Sequence, residues 1–120
     1  MPLRLKNAVI NSIEETETKR LKLLKIVSKV DGVTTTLELP DALCDTMKIK
    51  DTIDVVIDSK PILKGPSARL YLEGTVFKVN DDDFEVVGTF GGLRLTVNIS
   101  KPKPAQKKTF ETEKLFFMIN

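Results

Sequence analysis

Residues Arg69–Val97 read RLYLEGTVFKVNDDDFEVVGTFGGLRLTV. The stretch predicts three consecutive β-strands joined by two tight turns, one at Asn80-Asp81-Asp82-Asp83 and one at Gly91-Gly92. Paired glycines between apolar runs are a strong hairpin signal, because two-residue hairpin turns need positive φ and glycine takes it without steric cost. Past the turn, Leu93, Leu95, Val97 and Ile99 alternate with Arg94, Thr96 and Asn98. A period of two sends one set to a buried face and the other to solvent.

Outward from this meander the same pattern recurs. On the C-terminal side, Lys101–Lys108 (KPKPAQKK) is rich in proline and lysine and predicts an extended, mobile connection. Thr112–Ile119 then closes with Leu115-Phe116-Phe117-Met118-Ile119, a strand apolar on both faces and so expected to be covered on both. On the N-terminal side, Lys60–Ala68 (KPILKGPSA) predicts a loop, and Thr52–Asp58 a strand with Ile53, Val55 and Ile57 inward. Pro40–Ile49 breaks the alternation. Asp41 is a candidate N-cap there, and Leu43 and Met47 share a helical face, so a short helix is predicted. Leu21, Leu24 and Ile26 also fit a helix, but Asp31-Gly32 follows them and leads into Val33, Leu37 and Leu39 around three threonines, which favours a hairpin. Leu3–Ile13 is a first strand, and Glu14–Lys19 a polar turn. The sum is about eight short strands and at most one short helix, the pattern of an all-β barrel or sandwich. No internal repeat or domain boundary interrupts it, so residues 1–120 form a single domain.

Composition narrows the function classes. With 41% apolar and 30% charged residues the chain is an ordinary globular sequence. A net charge of +2 does not by itself argue for nucleic acid, yet Ser59–Leu70 and Asn98–Lys108 carry basic groups and no acid. The single Cys44 excludes an internal disulfide and fits a reducing compartment, and no apolar run reaches the roughly 18–20 residues of a membrane span; the chain reads as cytoplasmic. There is no histidine, which removes the commonest general base and every Ser-His or Cys-His pair. Cys44 reads as a small buried hydrophobe rather than a nucleophile. Asp81-Asp82-Asp83 is the one run of three consecutive carboxylates and could hold a hard cation such as Mg²⁺, although three consecutive aspartates in a tight turn do not converge on one point and also serve as turn residues. Neither catalysis nor a bound cofactor is expected. A nucleic-acid role would need exposed aromatics; Tyr71, Phe77, Phe84 and Phe90 are the candidates, most of them expected in the core, with Lys101, Lys103, Lys107 and Lys108 as candidate phosphate contacts.

Three segments carry a family resemblance. They are Tyr71-Leu72-Glu73-Gly74-Thr75-Val76-Phe77-Lys78-Val79, the run Phe90-Gly91-Gly92-Leu93-Arg94-Leu95, and the closing Phe110-Glu111 through Leu115-Phe116-Phe117-Met118. Together they resemble the RpoG family of archaeal DNA-directed RNA polymerase, the counterpart of the eighth small subunit shared by the eukaryotic nuclear polymerases. The first segment departs slightly from the family's Tyr-x-x-x-Gly spacing. Lys19-Arg20-Leu21 and Lys50-Asp51-Thr52-Ile53 match more weakly. The eukaryotic members have a longer acidic insertion before the meander, where Lys60–Arg69 is short and basic, which suits an archaeal member. The resemblance implies an eight-stranded antiparallel barrel of OB-like topology. It also implies a non-catalytic assembly role on the outside of the largest polymerase subunit, with the catalytic Mg²⁺ held by that subunit and not by Asp81–Asp83. The expected partners are other polymerase subunits, and the expected interface is Thr89, Phe90, Gly91, Gly92, Leu93 and Arg94, where absent side chains permit close approach. A role of the glycines in the hairpin alone fits the residues equally well. Two other readings stand beside this one: an autonomous OB-type single-stranded nucleic-acid binder, and a protein-interaction barrel of another complex.

Overall fold

A computed structural model describes residues 3–17, 20–45, 47–62, 67–82 and 84–120. In chain order the elements are β1 (Leu3–Glu15), β2 (Leu21–Ser28), β3 (Val33–Pro40), α1 (Asp41–Cys44), β4 (Thr52–Asp58), β5 (Leu70–Asn80), β6 (Glu85–Phe90), β7 (Leu93–Ile99), α2 (Pro104–Thr109) and β8 (Lys114–Ile119). All strand pairs are antiparallel, and the order around the wall is β1-β2-β3-β7-β6-β5-β8-β4, closed by pairing of β4 with β1. The molecule is therefore an all-β, closed eight-stranded antiparallel barrel. No helix among the described residues is long and apolar enough to cross a membrane.

Alternation builds the wall. In β3 the burial pattern switches at every residue, with Val33, Thr35, Leu37 and Leu39 inside, and in β4 Ile53, Val55 and Ile57 point inward as expected. Three β-bulges among the described residues let the wall curve into a closed ring. Lys6 and Asn7 of β1 oppose Asp54 of β4, with Asn7 at φ 56 and its N–H donating to Asp54 Oδ1 at 3.0 Å. A second bulge places Asn11 as the extra residue against β2, and a third places Phe77 as the extra residue of β5 against β6.

The last strand completes the barrel. β8 inserts between β5 and β4, pairing Leu70–Thr75 on one side and Val55–Asp58 on the other. Leu115, Phe117 and Ile119 are fully buried inside, each at 0% exposure, while Phe116 and Met118 face outward and are still only 5% and 6% exposed. The Tyr71 ring stacks on Phe116 at 6.3 Å, and Tyr71 and Val56 flank Met118 in the register. Tyr71 is held there by its hydroxyl oxygen, which accepts the Ile62 N–H at 3.1 Å. The expectation of cover on both faces of this strand therefore holds.

Each end of the barrel has its own closure. At one end the segment containing α1 buries Cys44 and Met47. At the other, Phe84 and Phe110 are buried with their rings 6.2 Å apart, and Thr109 of α2 is buried beside them. Phe84 has φ 30, unusual for a bulky residue, and burial of its ring offsets the backbone strain.

Several local expectations are corrected. Among the described residues two short helices are present instead of at most one: the proline-lysine connection is not extended throughout but forms α2, because Pro104 sits where a helix loses no hydrogen bond and Gln106 Oε1 accepts the Lys103 N–H at 2.8 Å. Asp41 is not the N-cap. Pro40 holds that position without a side-chain bond, and Asp41 lies in the first turn, its N–H donating to the Arg20 carbonyl. Leu43 is 42% exposed, so the buried pair is Cys44 with Met47. Part of the 60–68 loop, Lys19 and Asp83 lie outside the described residues.

Candidate functional site

The two groups of residues singled out in the sequence lie at opposite ends of the barrel. β7 starts directly after Gly91-Gly92 and ends at Ile99, directly before the lysine-rich segment, so about 20 Å of extended strand separates them. No single site holds both.

At the glycine end, Gly91 and Gly92 have φ 59 and φ 91, and both are exposed. Two successive positive φ values define the type I′ turn whose twist matches that of the flanking strands. Among the described residues a Cβ on either would meet nothing within 4 Å, so the glycines serve backbone angle and not close packing there. Of the six expected interface residues, Phe90 is corrected: it is 4% exposed, with its ring 6.0 Å from that of Phe117, and belongs to the core. Leu93 is half-buried against that core. Thr89 is half-buried with its hydroxyl 3.4 Å from that of Thr75, and Arg94 is exposed with its backbone N–H donating to Glu38 Oε1 at 2.8 Å. The outward surface is therefore Thr89, Gly91, Gly92 and Arg94. Gly74, in the neighbouring β5, is where a side chain could not fit: a Cβ there would collide with the Thr89 carbonyl and the Phe90 ring. The glycine of the Tyr71 segment thus makes room for the aromatic of the Gly-Gly segment.

At the lysine end, Lys101, Lys103, Lys107 and Lys108 are all exposed. They do not act alike. Lys107 Nζ stands 5.8 Å from the Phe84 ring centroid, a cation–π contact over the plug. Lys101 and Lys103 border a polar cleft whose opposite wall is Lys29 and Asp31, in the turn between β2 and β3. The Ser100 N–H donates to the Gly32 carbonyl at 2.9 Å and fixes that approach. Lys29 was missed in the sequence because nothing near it in the chain signals its neighbour.

Asp81 and Asp82 are exposed in the β5–β6 turn, where Asn80 Oδ1 accepts the Asp82 N–H at 3.1 Å. Among the described residues no three histidine, cysteine, aspartate or glutamate side chains are grouped to hold a metal ion. Cys44 is buried, and that burial pushes its thiol pKa up, which opposes the thiolate that nucleophilic chemistry needs. Of the four aromatics considered for stacking, Phe84 and Phe90 are buried and Tyr71 is half-buried with its ring stacked on Phe116, whereas Phe77 is 76% exposed on the outer face of β5.

No protein-family model matches this chain, and no curated protein matches it in sequence.

Proposed function

We propose that the chain is a non-catalytic structural subunit of an archaeal-type DNA-directed RNA polymerase, packing on the outside of the largest subunit and helping assembly. One observation supports this reading above the others. The three segments that carry the resemblance, scattered over the second half of the sequence, become immediate neighbours in the wall, in the order β7-β6-β5-β8. Within that half-barrel Gly74 makes room for Phe90, and Phe90 packs on Phe117 of the closing strand, so the resembling positions act on one another. The eight-stranded closure is compatible with OB-like topology, and a cytoplasmic location follows from the same reading. Co-purification of tagged chain with the large polymerase subunits is the expected result. Recovery as a free monomer from gently lysed cells would overturn it.

A second reading, autonomous binding of single-stranded nucleic acid, is favoured by Phe77, an exposed aromatic beside Lys78 on an open sheet face. It is the weaker one, because a stacking platform needs successive aromatics and the other three candidates are occupied. A binding titration separates the two. Phosphate contacts by Lys101, Lys103, Lys107 and Lys108 would give a salt slope that flattens when they are neutralised.

A further inference from the structure

The turn between β2 and β3 carries Lys29 and Val30, and both residues wall two adjoining depressions. One is the polar cleft of about 350 Å³ at the lysine end, lined also by Asp31, Ser100, Lys101, Lys103 and Gln106. The other is a groove of about 280 Å³ on the outer wall, lined also by Asn7, Val9, Asn11 and Val27. The cleft sets three ammonium groups against one carboxylate, and that carboxylate, Asp31 Oδ2, already accepts the Ser28 hydroxyl at 2.8 Å. The groove is apolar along its floor, where Val9 and Val27 face each other across β1 and β2, and Val30 beside it is 95% exposed.

We infer that this joined surface docks an extended acidic segment of a partner protein that carries an apolar side chain next to its carboxylates. The carboxylates lie over Lys29, Lys101 and Lys103, and the apolar side chain rests on Val9, Val27 and Val30. Charge complementarity selects the acidic class. The neighbouring valines select a peptide over a nucleic acid, because a single strand relies on base stacking and the aromatics at this end, Phe84 and Phe110, are 2% and 3% exposed. The bulges point independently to the same occupant. Asn7 and Asn11 are both bulge residues of β1 that line the groove, and each amide offers a donor and an acceptor suited to the main chain of an extended peptide. Such docking does not require the polymerase reading: it concerns the end of the barrel opposite the glycine turn and any partner with this chemistry.

The test is an array of short acidic peptides, with and without interspersed leucine or valine, probed with the intact chain and followed by fluorescence anisotropy on the best binders. Peptides combining carboxylates with an apolar residue should bind and should weaken with salt. The combined Lys29→Glu, Lys101→Glu and Lys103→Glu variant, checked for native circular dichroism, should lose about tenfold or more in affinity. Val30→Ser should abolish the preference for apolar-containing peptides over purely acidic ones. Three results overturn the inference: no acidic peptide retained, charge reversal without effect, or an oligothymidylate binding more tightly than the best peptide. Each can occur whether or not the chain co-purifies with polymerase, so its failure is distinguishable from failure of that reading.

Discussion

The two ends of the barrel are shaped by different physics. The outward edge at the glycine end is a backbone feature: two exposed residues at φ 59 and φ 91, with open space where side chains would be. The lysine end is a side-chain feature, in which Phe84 and Phe110 meet inside and Lys107 covers the Phe84 ring from outside. A turn of the first kind depends on neighbours in the chain. A plug of the second kind depends on residues brought together from separate segments. An exposed turn can therefore be read from a dipeptide, whereas a cleft between separate segments cannot.

Substitutions at the two ends put this contrast to the test. The largest effect is expected for Phe84→Ala, which empties the plug and should lower unfolding free energy by about 4 kcal/mol in urea denaturation. A much smaller loss would mean that Phe110 alone closes that end. Gly74→Ala comes next, at about 3 kcal/mol, since its Cβ collides with the Thr89 carbonyl and the Phe90 ring. Gly92→Val should cost about 2 kcal/mol from backbone strain alone, because the space is open, and under the proposed function it should also impair co-purification. Wild-type stability in that variant would show that positive φ is not required there. Thr35 of β3 is buried inside the wall, and its hydroxyl has no hydrogen-bond partner among the described residues, so Thr35→Val should gain about 1 kcal/mol. Lys107→Gln should be the smallest change, about 0.5 kcal/mol for an exposed cation–π contact, best seen as a small drop in thermal midpoint.

Much of the architecture was legible in the sequence. The Gly91-Gly92 and Asp31-Gly32 turns, the inward series of β4 and β7, and the double-faced apolar β8 all follow from local chemistry. The candidate site was legible in part. Gly91, Gly92 and Arg94 are on the surface, but Phe90 is not, because alternation through a hairpin turn does not reveal how deeply the ring beside it sits. Phe77 remained one candidate aromatic among four until the burial of two and the stacking of a third on Phe116 set it apart. Helix α2 was missed because its start depends on a capping bond from Gln106, a contact masked by the proline-lysine composition around it.

The all-β class, the places of the tight turns and the need for cover on both faces of β8 can all be read from residue order alone. These properties live in steric preferences and alternation, which involve residues a few positions apart. Only the tertiary structure decided that β8 inserts between β5 and β4, that β3 lies beside β7, and that Lys29 faces Lys101 and Lys103 across a cleft. Those pairings are set by the collective burial gained when the ring closes, a quantity that belongs to the whole chain and to no stretch of it.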